Sequence, residues 1–367
     1  MKISCMKSDL LTGINIALRA VPSKTTYTIL ECFLIDASDG IKITAGDNEL
    51  IIETMVTGEI IKEGMIAVDA RLFSEIVRKL PNNMVTVITD SNYRVFITCE
   101  DVEMVLAGKN PEEFPQSPST ETDDKITISQ FSLKEIVRQT IFSIAPTDGN
   151  PIMRGELFEV IDDVLKVVSL DMHRISIRYT RLLGEYEEIQ RIIPGKCLLE
   201  VSRIISGNTQ DMMDIIFDRN FVKFAFDDTI VLSRLIDGEF FDVDKMISMD
   251  FETEIKVNRS YLISCIERAM TLVREGDRRP VVFTINDEAL TIDINSTLGA
   301  LNEQIILEKK EGKDLIAGFN PKFILEALRV IDDEVVSMYF LNANAPCFIR
   351  NKEGEYIYII LPININR

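Results

Sequence analysis

RLFSEIVR (71–78) decides how this chain is read, because it returns as KCLLEVSR (196–203) and again as KFILEALR (322–329). Each copy runs basic residue, three residues, Glu, two residues, Arg. The starting positions, 71, 196 and 322, lie 125 and 126 apart. Such a fixed period across a chain marks internal duplication. Each copy follows a short loop, VDA, IPG or FNP, that closes an apolar run of strand type.

Placed on helices at about 100° per residue, the copies share one layout. Apolar residues recur at four matching positions. They are Leu72, Phe73, Ile76 and Leu80; Cys197, Leu198, Val201 and Ile205; and Phe323, Ile324, Ala327 and Ile331. These positions span an arc of about 100°, the width of a core-facing stripe. The two basic positions of each copy lie about 20° apart and nearly opposite that stripe. The Glu between them is expected to pair with the basic residue four positions before it.

A second helix set repeats as well, in LLTGINIALRAV (10–21), LKEIVRQTIFSIA (133–145) and LISCIERAMTLV (262–273). Each follows a short alternating strand: Lys2 to Cys5, Lys125 to Ile128 and Glu254 to Val257. Runs such as IKITAGDNELIIETMV, VTVITDSNYRVFITC and KVVSLDMHRISIRYT alternate with period two and predict antiparallel strands. The repeating unit is therefore an α+β domain of two helices against antiparallel sheet. The polar, acidic stretch QSPSTETDDK (116–125) marks one linker, and SMDFETE (248–254) the other. The expected domains are 1–122, 123–250 and 251–367.

The net charge of −19 speaks, taken alone, against nucleic-acid binding. Its distribution reverses that inference. The six helical segments together carry +9, which leaves −28 on the remainder. One positive surface on an acidic body is the expectation. The six cysteines are scattered without a C-x-x-C pair, so neither a disulfide framework nor a zinc site is expected, and a reducing cytoplasm fits. No apolar run reaches the roughly 18 residues of a membrane span.

An enzyme is not expected. The chain has a single histidine, His173, and none of the P-loop, G-x-G-x-x-G or H-E-x-x-H patterns. The acid pairs Asp162–Asp163 and Asp332–Asp333 are read as solvated charge at turns and helix ends. No cofactor and no metal is expected.

The triple repeat, together with SRLIDGEFFDVDKMI (233–247), SLDMHRIS (169–176) and the closing YIYIILPININR, resembles the bacterial DNA polymerase sliding clamp family over the whole chain. The resemblance implies a head-to-tail homodimer closed into a ring of six domains, with helices lining the hole. It implies that the basic pairs Arg71, Arg78, Lys196, Arg203, Lys322 and Arg329 face double-stranded DNA, joined by Lys24 in the loop after the first helix. Phosphate contacts without base readout would let such a ring slide. The resemblance also implies a pocket for a short peptide from the polymerase, the clamp loader or other partners. Carried over by position, it comprises Met153, Leu170, Met172, His173, Arg174, Ile175, Phe241, Lys245, Met246, Pro346, Ile359, Ile360, Leu361, Pro362 and Ile363. Here the chain departs from the family. Met172 stands for a small residue, Phe241 for a proline, Lys245 for an arginine, and Asn364 where an arginine is common. The dimer contact is expected between edge strands near 101–108 and 297–306, with Met104, Leu106 and Leu272 as apolar candidates. The alternative is a clamp relative that docks peptides without encircling DNA.

Overall fold

All three copies of the repeated motif are helices. In the computed structural model, six α-helices run in chain order among the described residues. They are α1 (Lys7–Ala17), α2 (Ala70–Lys79), α3 (Gln130–Thr140), α4 (Gly195–Ile204), α5 (Arg259–Met270) and α6 (Pro321–Val330). The described residues are 1–118, 122, 124–146, 150–247, 250–274, 279–287 and 289–365. Parts of both expected linkers, 119–121 with 123 and 248–249, lie outside them.

Local chemistry sets the helix starts. Asp69 caps α2, its carboxylate accepting from Leu72 N at 2.7 Å, and Asn320 caps α6 by accepting from Lys322 N at 3.0 Å. Pro321 fills the first turn of α6, where a missing N–H costs nothing. At α4 the start is Gly195, where an added Cβ would stand 2.5 Å from Ile144 Cδ1, so a larger residue would need that side chain to move.

The chain forms two compact units, residues 1–133 with 196–235 and residues 134–195 with 236–367. Repeat and unit do not coincide, because the central repeat contributes to both. In the first unit one antiparallel sheet has thirteen strands. Its order begins Lys125–Ser129, Met212–Phe217, Phe221–Phe226, Thr229–Arg234, Leu50–Val56 and ends at Glu59–Lys62. The central and first repeats are joined there by Thr229–Arg234 pairing with Leu50–Val56, and the hydroxyls of Thr54 and Thr229 meet at 2.9 Å in the interior.

The second unit has a seven-stranded sheet and a four-stranded sheet, also antiparallel. The seven-stranded sheet opens on a long hairpin, Gly155–Leu170 with Arg174–Pro194, and continues through Tyr356–Ile360, Cys347–Arg350 and Val335–Phe340. The four-stranded sheet runs Gly299–Ile306, Ala289–Ser296, Val281–Asn286, Leu315–Phe319.

Asp162 and Asp163 are not at a turn as expected. They lie in an irregularity of the long hairpin, where the register shifts on both sides of Asp162 and its φ is 54°. Asp332 and Asp333 do follow α6, and each is engaged: Asp332 by Arg138 at 3.1 Å, Asp333 by the Tyr356 hydroxyl at 2.5 Å. All six cysteines are buried free thiols, and burial pushes Cys197 up to about 12. They act as small apolar residues. No helix among the described residues is long and apolar enough to cross a membrane.

Candidate functional site

Two surfaces stand out, one polar and one apolar. The polar one recurs on the exposed side of each repeated helix. Phe73, Ile76, Cys197, Leu198, Val201, Ile324 and Ala327 are buried, while Arg71, Arg78, Lys196, Arg203, Lys322 and Arg329 are exposed. The helical projection is thus matched except at the first apolar position of two copies. Leu72 is 48 % exposed, with Val77 buried in α2 instead, and Phe323 is half-buried. Lys24 is exposed in the loop after the 3-10 turn Leu18–Ala20.

The glutamate between the basic residues behaves differently from expectation. Only in α6 does it meet the preceding cation, Lys322 to Glu326 at 3.9 Å. In α2, Glu75 pairs forward with Lys79 at 2.7 Å. In α4, Glu200 takes Arg203 at 2.6 Å and Arg19 of the first helix's 3-10 extension at 3.2 Å. Arg71, Lys196 and Lys24 have no ion-pair partner among the described residues. Arg19 and Lys79 were missed by the motif because neither sits at a repeated position. In the first unit, Leu18, Arg71, Ser74, Glu75, Arg78 and Lys79 line a cleft of about 430 Å³ with three cations and one carboxylate.

The second helix set is less available. Arg138 of α3 is held by Glu135 at 2.6 Å and by Asp332, which push its pKa up, the Glu135 hydrogen bond most. Arg268 of α5 is tied to Glu303. Arg203 and Arg329 are paired as well, with Glu200 at 2.6 Å and Glu267 at 2.7 Å, whereas Arg71, Lys196 and Lys24 are left without an ion pair among the described residues. Exposed pairs of this kind are worth up to about 1 kcal/mol each, so a phosphate can exchange for the carboxylate at little cost. That chemistry holds a polyanion without reading its sequence.

The apolar surface lies in the second unit. Met153, Leu170, Ile175 and Ile359 belong to one buried cluster, with Phe241 packed against it. Ile152, Tyr339, Phe348, Phe240, Val243 and Ile247 share the cluster. Sequence reasoning missed them, although the alternation of 335–340 and 347–350 places Tyr339 and Phe348 on one face. Around the cluster, Met172 is 71 %, Met246 49 % and Leu361 42 % exposed. The Leu361 amide donates to His173 O at 2.9 Å, which fixes Leu361 beside the 171–173 turn. Pro346, Pro362 and Ile363 are half-buried, and the Ile363 amide donates to Gly318 O at 2.7 Å.

Arg174 and Ile360 do not join that surface. Arg174 pairs with Ile360 across the sheet, and Ile175 with Ile359. Successive strand residues point to opposite faces, so Arg174 and Ile360 turn to the other side. Ile360 there joins the core that includes Leu328 and Tyr358. Arg174, only 8 % exposed, bonds Asp171, Glu326 and Phe142 O, and its guanidinium stacks 4.4 Å over the Phe323 ring. His173 stacks on that same ring at 5.9 Å. Lys245 is exposed but committed to Asp242 at 2.6 Å, and that contact raises its pKa.

Two of the open strand edges are those expected at the dimer contact. In Val102–Lys109 only Gly108 and Lys109 pair on the side away from Arg94–Cys99. Gly299–Ile306 pairs on one side only. Of the expected apolar contacts, Met104 is 39 % exposed, Leu106 is turned into the core, and Leu272 packs partly against the core of its unit. Val105 and Ile306, at 61 % and 80 %, are the larger exposed groups on these edges.

Comparison with known proteins covers the whole chain. Three family descriptions match in sequence: the DNA polymerase III beta subunit N-terminal domain at residues 1–118, its central domain at 127–242 and its C-terminal domain at 244–364. The beta sliding clamp of Bacillus subtilis is 34 % identical over 377 residues, covering 99 % of both chains. The crystal structure of the Bacillus subtilis DNA polymerase sliding clamp superposes with a TM-score of 0.95 at 33 % identity, covering 99 % of each chain. A solved chain from Eubacterium rectale assigned to the same polymerase subunit gives a TM-score of 0.98 at 49 % identity and full coverage of both.

Proposed function

Because the chain belongs to the family of DNA polymerase III beta subunits, the beta sliding clamps, we propose that it acts as a processivity factor in DNA replication. Two copies join head to tail through the open edges at 102–107 and 299–306 and close a ring of six domains around duplex DNA. The domains are 1–122, 123–250 and 251–367. One observation carries this reading: three helices at matching repeat positions bury one side and expose a basic pair on the other. Lys24, Arg71, Arg78, Lys196, Arg203, Lys322 and Arg329 attract the backbone phosphates. Attraction of this kind weakens with salt, so retention rests on the closed ring and not on affinity.

The apolar patch of the second unit receives a short peptide from the replicative polymerase, the clamp loader or another partner, with Met172, Phe241, Met246 and Leu361 as adaptable contacts. In this reading the chain catalyses nothing itself, and it works in the cytoplasm with the polymerase it tethers.

The test is retention on DNA of two topologies. Protein loaded on nicked circular plasmid is expected to remain through gel filtration and to leave once the plasmid is cut to linear form. In solution its mass is expected near 83 kDa, twice the 41.7 kDa chain. Equal loss from circular and linear DNA would exclude encirclement and leave a peptide-docking adaptor.

A further inference from the structure

We propose that Lys166, which the docking peptide does not touch, is the positioning residue of the docking patch. The inference rests on the docking reading above and names what holds one rim of that site. Residues 237–247 carry Phe241, Lys245 and Met246, yet their only regular structure is the 3-10 turn Asp244–Met246. Ile236 is still bonded to Ile192 O at 2.9 Å. Beyond it, the described backbone hydrogen bonds of 237–247 are local: Met246 N to Val243 O and Ile247 N to Asp244 O. A segment so weakly tied to its sheet needs side-chain anchors to hold one position.

Val243, 2 % exposed, is one anchor, and Phe240, Phe241 and Ile247 pack against the same apolar cluster. The remaining anchor is electrostatic. Lys166 stands on the strand Gly155–Leu170 with its side chain only 10 % exposed. It donates to both carboxylate oxygens of Asp244, at 2.7 and 2.9 Å, and pairs with Glu159 at 3.0 Å. Burial alone would lower its pKa, but the two carboxylates outweigh it and hold Lys166 charged. One carboxylate belongs to the strand and the other to the segment, so the ammonium fastens the two together.

Lys245 offers the contrast. It is the cation that the family pattern places in the pocket, but it is 83 % exposed and bonded to Asp242 inside the same segment. That pair ties the segment to nothing outside itself. Removing Lys166 instead leaves Glu159, 17 % exposed, with Gln190 alone and frees Asp244, itself 65 % exposed. The half of the pair with Glu159 is buried and costly to break on one side, and the half with Asp244 is the tie whose loss releases the rim that presents Phe241 and Met246.

The experiment uses the full chain as Lys166→Met, Lys166→Arg, Asp244→Asn and Lys313→Met. Peptide affinity is read by anisotropy with a labelled decapeptide rich in apolar side chains, the complement of this patch. Amide exchange is followed over 237–247. Lys166→Met is expected to weaken the peptide about tenfold and to speed exchange in that segment, with Lys166→Arg restoring affinity to within about twofold. Lys313→Met, at an exposed pair with Glu252 elsewhere in the unit, is expected to stay within about twofold of the parent. Should Lys166→Met fail to fold, Asp244→Asn carries the same expectation, since it opens the tie and leaves Lys166 with Glu159. Unchanged affinity and exchange overturn the proposal, and so does an arginine variant no better than the methionine one. If the parent protein itself ignores the peptide, the docking reading falls. The exchange rates then decide the fastening alone, faster exchange supporting it and unchanged exchange ending it.

Discussion

Helices α2 and α6 carry the same eight-residue pattern and solve one of its problems in opposite ways. Both bury the residue after next from the first cation, Phe73 and Ile324, completely. Both expose their basic pair. They part at the glutamate. Glu75 stays in solvent with Lys79, while Glu326 turns to the buried guanidinium of Arg174 and keeps Lys322 only at 3.9 Å. The repeat therefore preserves a buried back and a basic front, and leaves the acid free to take whatever partner its surroundings supply.

The strongest way to break this comparison is through the shared back. Phe73→Ala is expected to cost about 3–5 kcal/mol and Ile324→Ala about 2–5 kcal/mol, since each empties a fully packed site. Chemical denaturation measures both, and a negligible loss in either copy would show that its stripe faces elsewhere. The shared front comes next. Arg78, Arg203 and Arg329 changed together to Glu are expected to cut DNA loading by tenfold or more, with the salt slope falling by roughly 0.9 per lost phosphate contact. Thermal melting is expected to hold steady, and a collapse of cooperativity would mean that these side chains support the core.

The glutamates sharpen the contrast further. Glu326→Ala strands Arg174 with Asp171 alone among its carboxylates and is expected to cost about 1–3 kcal/mol. Glu75→Ala is expected to leave the melting temperature unchanged. Equal effects would erase the distinction drawn between the two helices. The smallest difference concerns the first apolar position. Phe323→Leu removes the ring beneath Arg174 and His173 and is expected to lose about 0.5–1 kcal/mol, whereas exposed Leu72→Ala stays within about 0.5 kcal/mol. Differential scanning calorimetry resolves the pair.

How much of this could be read from the chain follows from the range of the interactions. Helix faces obey a local period, so the exposure of Arg71, Lys196 and Lys322 was legible in eight-residue windows. Partner choice was not, because Glu200 meets Arg19 and Glu326 meets Arg174 across 181 and 152 positions. The apolar patch was legible as a set of residues but not as a face. Resemblance groups Arg174 and Ile360 with Ile175 and Ile359, and strand alternation separates them. Lys166 escaped altogether, since its partners Glu159 and Asp244 meet only through folding. The division into two units was equally hidden. It rests on strands such as 229–234 and 50–56, nearly 180 positions apart, forming a ladder.

That ladder bears on how such a protein can be taken apart. A gene for the first repeat alone would end near 122 and leave Leu50–Val56 as a bare edge, open to any stray strand. A gene for the central repeat alone would lose Leu50–Val56 from beside Thr229–Arg234 and Tyr356–Ile360 from beside Arg174–Pro194. Ancestry by triplication and modularity in the present molecule are thus different properties. Grafts between relatives are expected to succeed when their junctions respect the sheets, within α3 and at 195 and 235, and to precipitate when they follow the acidic linkers.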